Sequence, residues 1–569
     1  MPRHRIAAAV CALAGMLVLP GAAPGLASPG RPSPPLARAA ASLGLSCVPA
    51  SSTDGVAYTE CSGEIPSFDG VGIDADLSIP NGATGSLPTI LMLHGWGGDK
   101  TNWESGSIAG SSPDKDQWNN VWFVSRGWLV VNTTARGFGE SCGVRDTDAN
   151  CAQGWTHLAD RSFEIRDWQT ILGALVDAGL ADPARLASTG GSYGGGQSWE
   201  LATSMPWTSP AGVPLHLAAA VPKYPWTDLL PALVPNGRAS DGVNQSADHS
   251  SPFGVAKESY VSGLYALGRS VGGRYNTTDP TDPGSALDAD YALLQSGEPY
   301  AAKPQVAQAV QAFRNTSAYD ATDYLQAVRA GTAFEVPVFS IQGWTDPLFP
   351  PVETLQMYRE LKAADPAYPI QMAFADVGHS NAQNPAAQWA SINALANGFL
   401  DWAVLGHTTE RPKKEAYAFV TDCPPAGTAK PIAGRWDSLA RRTVTLASTG
   451  AVTTTSAASN AADGAATDPI ANAGCMSEPD AAAPPGVAEL AWPVASSLTI
   501  AGLPRVTLSY SLTGTDATIA LKLWDVGSAG TKTLVTRGVY RLSTAEGDPA
   551  SGTLSVELFG NAWRVPAGD

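Results

Sequence analysis

Leu186-Ala-Ser-Thr189 followed by Gly190-Gly191-Ser192-Tyr193-Gly194 is the stretch that decides the fold. The short run before the glycines predicts a strand and the spacing through Trp199 and Leu201 predicts a helix, so Ser192 stands on the turn between them. In a G-x-S-x-G turn the outer positions, Gly190 and Gly194, must be small, because the serine takes a strained conformation and side chains two residues away would collide. The strain lifts the hydroxyl clear of the sheet. The next amide, that of Tyr193, opens the helix, where unpaired N–H donors and the positive dipole end favour a developing oxyanion. The pattern recurs at Gly268-Arg-Ser-Val-Gly272, but no apolar strand run precedes that copy and it reads as chance.

Strand, turn and helix in this order imply a parallel sheet, and the flanking sequence repeats the alternation. Leu87–Leu93 is an almost wholly apolar run ending at His94-Gly95, as a strand buried on both faces should. Trp128–Asn132 is a second. Between Phe163 and Gly179, Ile165, Trp168, Ile171, Leu172, Leu175 and Val176 recur at three and four, the stripe of a helix. Further strands are expected at Leu217–Val221, Val336–Gln342 and Ile370–Phe374, and a helix from Ala386 to Leu405. Residues 235–331 carry no strand signal, whereas Leu264–Leu267, Tyr291–Leu294 and Val306–Phe313 look helical. That segment reads as a cap inserted between two parts of a core, 46–234 and 332–409. From 410 to 569 the pattern turns to period-two alternation, as in Val506/Leu508/Tyr510, Ile519/Leu521/Leu523 and Leu554/Val556/Leu558, which predicts a β-sandwich of jelly-roll type. Residues 447–473, rich in Ala, Thr and Ser, read as a long loop.

The chain has 569 residues, 44% hydrophobic and 15% charged, enough apolar material for several cores. Its net charge of -17 argues against nucleic-acid binding, which needs clustered Lys and Arg. A basic start, Met1–Arg5, an apolar run, Ile6–Leu19, and Gly25-Leu26-Ala27, with small residues at the two positions a signal peptidase reads, predict a signal peptide over 1–27, hence a secreted chain with no membrane attachment after cleavage. A mobile leader is expected at 28–45. Once Cys11 leaves with the signal, six cysteines remain; closed as neighbours they would pair Cys47–Cys61, Cys142–Cys151 and Cys423–Cys475, although about 15 pairings are open. No CxxC or HExxH suggests zinc.

A serine nucleophile needs a base, and in this architecture the chain order is serine, acid, histidine. His379 lies just past the Ile370–Phe374 strand, at the sheet edge where the serine emerges, whereas His407 follows a helix and reads as solvated. Asp346 follows Val336–Gln342 and is the expected acid, accepting the imidazole's other N–H; Asp228 and Asp376 compete. A second oxyanion donor should come from His94-Gly95-Trp96-Gly97-Gly98, with the Trp96 amide as donor and His94 holding the loop. Trp96, Tyr193 and Trp344 are candidates to line an acyl pocket. This chemistry calls for no metal and no organic cofactor.

These residues resemble the Xaa-Pro dipeptidyl-peptidase and cocaine-esterase group of serine hydrolases. Ala135-Arg-Gly-Phe-Gly-Glu-Ser-Cys-Gly143 looks like its R-G-x-G-x-S-x-G segment, Thr189–Gly195 like its elbow, Gly343-Trp-Thr-Asp346 like its acid segment and Gly378-His-Ser380 like its histidine segment. Leu503–Leu508, Leu523–Val526 and Arg537–Leu542 look like its C-terminal jelly roll. The resemblance implies an α/β-hydrolase core with a helical cap, a β-sandwich, and cleavage of a peptide or small acyl-ester or amide substrate through an acyl-enzyme. The alternatives are a carboxylic-ester hydrolase of the cocaine-esterase type, and a surface- or carbohydrate-binding protein with a vestigial hydrolase domain. Several members place a tyrosine hydroxyl in the oxyanion hole, where this chain has Trp96. The acidic groups that hold a free amine in the family's dipeptidyl-peptidases are not assigned to any Asp or Glu of the cap. Oligomeric state is left open.

Overall fold

The computed structural model describes residues 35–141, 154–235, 254–275, 287–297, 300, 303–306, 308–309, 322–379, 382–408, 411–425, 430–448, 453, 475–483 and 487–568. The expected signal peptide, Cys142, Cys151, much of the cap and nearly all of the 447–473 segment lie outside the described residues.

Ser46–Ser51 (β1), Ala57–Pro66 (β2), Gly72–Pro80 (β3), Leu87–Leu93 (β4), Leu129–Thr133 (β5), Ala181–Gly191 (β6), Ala219–Lys223 (β7), Val338–Gly343 (β8), Ile370–Ala375 (β9), Ala416–Ala418 (β10) and Ile432–Gly434 (β11) make one sheet. Its order is β1-β2-β3-β5-β4-β6-β7-β8-β9-β10-β11. From β5 to β10 every neighbour is parallel, while β1, β2, β3 and β11 are antiparallel to theirs. The parallel part is buried on both faces, as its apolar runs require. Along β4, Leu91 and Leu93 enter one core with Ile165, Trp168, Ile171, Leu172 and Leu201 from the helices Glu164–Asp177 and Tyr193–Thr203. Ile90 and Met92 enter the other, with Trp389, Ile392 and Phe399 from the helix Ala386–Ala403. This is the α/β-hydrolase arrangement.

Two features depart from expectation. Pro35–Ser42 is a helix rather than part of a mobile leader, because Leu36 and Ala40, one turn apart, share its buried side and join the core. The antiparallel strands β1 to β3 are additional to the expected elements. Along β3, Ile73, Ala75, Leu77 and Ile79 are buried on one face, and Asp74, Asp76 and Ser78, which read as a solvated face, are buried on the other. Cys47–Cys61 joins β1 to β2, and Cys423–Cys475 is the second disulfide among the described residues.

Cap helices at Leu229–Leu233, Glu258–Ser270, Leu287–Gln295 and Thr322–Arg329 fall between β7 and β8. At the carboxyl end, antiparallel pairs are nested: Leu498–Gly502 with Asn561–Val565, inside them Arg505–Ser511 with Ser551–Glu557, and inside those Asp516–Gly527 with Thr531–Ser543. A ribbon folded on itself in this way has the connectivity of a jelly roll. No helix among the described residues is long and apolar enough to cross a membrane.

Two buried polar groups fix the loops at the carboxyl edge of the sheet. Arg136, fully buried, bonds Asp167 through Nε (2.7 Å) and Asp69 through Nη1 (3.0 Å), tying the loop after β5 to the helix Glu164–Asp177. His94 does the same for the loop after β4. Its Nε2 accepts from the Ala135 amide (2.8 Å), so the proton sits on Nδ1, which donates to the Gly95 carbonyl (2.7 Å). Burial holds the ring's pKa below the ordinary 6.5. Above pH 6.5 the ring is neutral in folded and unfolded chains alike; below it the unfolded chain takes a proton that the folded chain refuses, so stability is lost toward acid. His94→Asn supplies one donor and one acceptor without this linkage, and should flatten the slope of unfolding free energy on the acid side by up to about 1.4 kcal/mol per pH unit. Denaturant titrations through that pH range check it; equal slopes contradict the assignment.

Candidate active site

The turn after β6 puts Ser192 at φ 57° and ψ -117°, and its neighbours explain why it stays there. The Ser192 amide donates to the Lys223 carbonyl at the end of β7 (3.1 Å), and its carbonyl accepts from the Gly196 amide (3.0 Å). A side chain at Gly190 would put Cβ 2.6 Å from the Leu93 carbonyl oxygen, and one at Gly194 would run into the same oxygen. Such a non-glycine residue at positive φ costs of order 1–3 kcal/mol and persists only where its surroundings impose it.

Ser192, Asp346 and His379 meet across the ends of β6, β8 and β9. Ser192 Oγ lies 2.6 Å from His379 Nε2, and His379 Nδ1 lies 2.7 Å from Asp346 Oδ2. The same carboxylate oxygen accepts from the His379 amide (3.1 Å), and Oδ1 accepts from the amides of Leu348 (2.9 Å) and Phe349 (3.1 Å). Asp346 is only 1% exposed, so these donors replace the water it has lost. Gly378 has φ 114°, and a side chain there would collide with the Asp346 carboxylate. The imidazole is thereby fixed from both sides.

The competing residues are otherwise engaged. Asp228 caps the helix Leu229–Leu233, accepting from the Leu230 amide (3.2 Å). Asp376 accepts from Thr345 Oγ1 (2.5 Å) and from the Gln383 amide (3.0 Å) and side chain (2.6 Å), which makes it the anchor of its loop. His407 is exposed, 3.8 Å from Asp401. In the second G-x-S-x-G copy, Ser270 ends the helix Glu258–Ser270 and its hydroxyl donates to the Leu267 carbonyl.

Tyr193 is the first residue of its helix, and Gly95 brings the loop after β4 beside it: a Cβ at Gly95 would stand 3.8 Å from Ser192 Cβ. The Trp96 indole N–H is taken by the Leu264 carbonyl of the cap (2.8 Å), so its ring ties loop to cap. Tyr193 and Trp344, expected to line an acyl pocket, are buried, at 3% and 2% exposed. The Tyr193 hydroxyl turns inward to Thr156 (3.2 Å) and Glu164 (3.3 Å), and the Trp344 indole donates to the Phe419 carbonyl (3.0 Å).

Sequence reasoning missed three neighbours of the site. Tyr224 and Phe349 present their rings edge-on to His379, with centroids at 5.3 and 5.2 Å. Lys223, fully buried behind the elbow, donates to the Asp114 carbonyl (2.7 Å) and Asn393 Oδ1 (3.0 Å) among the rings of Trp103, Trp118 and Trp389. Burial pushes its pKa down to about 7. Tyr224 follows the end of β7 and Phe349 stands three residues past Asp346, so position after a strand end was the available signal.

The X-Pro dipeptidyl-peptidase (S15 family) profile matches residues 69–381, and the X-Pro dipeptidyl-peptidase C-terminal non-catalytic domain matches 421–562. A search of the curated proteins finds no matching sequence. Among solved structures, an aminopeptidase from a marine sediment Thaumarchaeota archaeon is similar at 15% identity, over 90% of this chain and 87% of that one, with a TM-score of 0.50. A CocE/NonD family hydrolase from Staphylococcus aureus is similar at 12% identity, over 92% and 87%, and an α-amino acid ester hydrolase at 14%, over 91% and 89%, each with a TM-score of 0.50. These likenesses are likenesses of fold. Since the first profile spans more than half of the sequence and the second covers most of the rest, the chain belongs to the X-Pro dipeptidyl-peptidase (S15) family of hydrolases.

Proposed function

We propose that this chain is a secreted serine hydrolase in which Ser192 is the nucleophile, His379 the general base and Asp346 the residue that orients and charges-balances His379. The observation that carries the reading is the unbroken hydrogen-bonded line from Ser192 Oγ through the imidazole to the Asp346 carboxylate. Ser192 attacks the substrate carbonyl as its proton passes to His379 Nε2, and Asp346 stabilises the imidazolium. The protonated ring then gives that proton to the leaving amine or alcohol, and water repeats the sequence on the acyl-enzyme. Backbone amides of Tyr193 and Trp96 stabilise the tetrahedral oxyanion; the engagement of the Trp96 indole by Leu264 leaves the main chain of that loop for this part. Export is supported by the basic and apolar start of the sequence and by the two disulfides.

The substrate we favour is a peptide or arylamide with a free amino terminus, following the family description; an ester is the second reading, following the solved ester hydrolase of like fold. Ser192→Ala should abolish turnover with the fold intact by circular dichroism. Asp346→Asn should lower kcat by about 10⁴. Asp228→Asn, at a helix cap, should leave kcat within about tenfold, since capping changes act on stability by roughly 1 kcal/mol. The reverse ranking of the two aspartates would move the acid. An Ala-Pro anilide with a free amine should be hydrolysed and its amine-blocked form should not. Cleavage of a short acyl nitrophenyl ester alone would place the enzyme with the esterases.

A further inference from the structure

Away from the triad, Glu60 on β2, Asp76 on β3 and Glu104 in the loop after β4 bring three carboxylates together, with one oxygen of each within 4.8 Å of the others. The only cation bonded to this group among the described contacts is Lys100, whose Nζ bridges Asp74 and Asp76 at 2.8 Å each, one ammonium against four carboxylates. Tyr58 donates to Glu60 Oε2 (3.3 Å) and Ser62 to Asp76 Oδ1. Glu104 Oε1 is buried with no hydrogen-bond partner. A second, independent observation comes from β5. Asn132 is fully buried, neither its Oδ1 nor its Nδ2 has a partner, and it is the residue directly opposite Asp76 in the antiparallel register of β3 and β5. Directly paired residues share a face, with Cβ atoms about 4.5–5.5 Å apart, so the orphaned amide lies beside the carboxylates.

A buried acceptor without a donor costs about 1–3 kcal/mol, and more when it carries charge. Two such oxygens, one on Glu104 within the group and one on the residue paired with Asp76, beside carboxylates in excess of their cations, ask for a positive ion. We propose that Glu60, Asp76, Glu104 and Asn132 form a binding site for a calcium ion. Every candidate ligand is oxygen, which selects a hard cation over zinc. Coordination then chooses between the two common ones: calcium is held at about 2.3–2.6 Å by six to eight oxygens in a flexible protein cage, whereas magnesium keeps several waters and is seldom bound by a dedicated all-protein cage. Carboxylates binding through both oxygens, with the Asn132 carbonyl and water, complete the six to eight ligands that calcium takes.

The ion's part is structural. Glu104 follows Trp103, whose indole donates to the Leu93 carbonyl (2.7 Å), the oxygen against which Gly190 and Gly194 are packed. Calcium would bind the β2–β3 ribbon to the loop that backs the elbow, independently of what the hydrolase cleaves. The competing occupant is a proton shared by Glu104 and Asp76, since burial and the neighbouring carboxylates raise the Glu104 pKa.

The test is calorimetric titration of the full chain, stripped with EDTA and returned to metal-free buffer, with calcium chloride. One calcium per chain should bind and raise Tm, and magnesium should bind more weakly. Glu104→Gln and Glu60→Gln should each weaken calcium at least about tenfold, because ligand charge count sets affinity in such sites. In metal-free buffer the Glu104→Gln chain should melt at or above the wild-type temperature, since the neutral amide stands in for the protonated carboxyl; this separates lost binding from lost folding. No stoichiometric calcium uptake at millimolar concentration, uptake unaltered by both variants, or magnesium bound as tightly as calcium would overturn the proposal.

Discussion

The Leu93 carbonyl, at the end of β4, is the point on which the site's geometry turns. It stands against both outer glycines of the elbow, so that neither Gly190 nor Gly194 can carry a side chain, and it is itself held by the Trp103 indole. With the Ser192 amide fixed on the Lys223 carbonyl, the serine cannot relax from φ 57° without breaking into the parallel ladder on either side. The strain at one residue is therefore carried by the two central strands, β4 and β6, and by the neighbouring β7. This is where a parallel sheet is stiffest, because both faces are covered and each strand end has the same direction.

That common direction accounts for the rest of the arrangement. Strands β6, β8 and β9 all end at one edge, and each hands over a single polar residue: Ser192, Asp346 and His379. What makes three loops precise is backbone hydrogen bonding rather than side-chain bulk. Asp346 is held by the amides of Leu348, Phe349 and His379, His94 by those of Ala135 and the carbonyl of Gly95, and Asp376 by its own loop. Tyr224 and Phe349 then limit how far the imidazole can turn. The segment between β7 and β8 reaches this edge through Leu264, whose carbonyl accepts from the Trp96 indole and so joins the helix Glu258–Ser270 to the loop beside Ser192.

Much of this was legible because periodicity reports burial. The runs at Leu87–Leu93 and Ile370–Phe374 read as strands and are strands, and the stripe from Ile165 to Val176 reads as a helix and is one. The three polar residues were legible as well, since each stands where a strand signal stops. Burial of charge hid the remainder. In β3 the buried Asp74 and Asp76 look like surface residues until Lys100 is seen between them, and the approach of Glu60 and Glu104 to Asp76 depends on strand register that no local pattern encodes. Lys223 is concealed in the same way: a lysine at a strand end reads as solvated, yet three tryptophans from distant segments enclose it. The Tyr193 side chain was hidden for the opposite reason, because its hydroxyl finds partners in Thr156 and Glu164 beneath the helix rather than above it.

Under the proposed function, the imidazole of His379 makes the neighbouring Ser192 nucleophilic. Exposing the folded protein to a fluorophosphonate and locating the adduct by peptide mass spectrometry tests this. A single modification is expected, on the peptide carrying Ser192, that disappears when the protein is unfolded before exposure. Modification at another serine such as Ser270, or none in the folded chain, would contradict it.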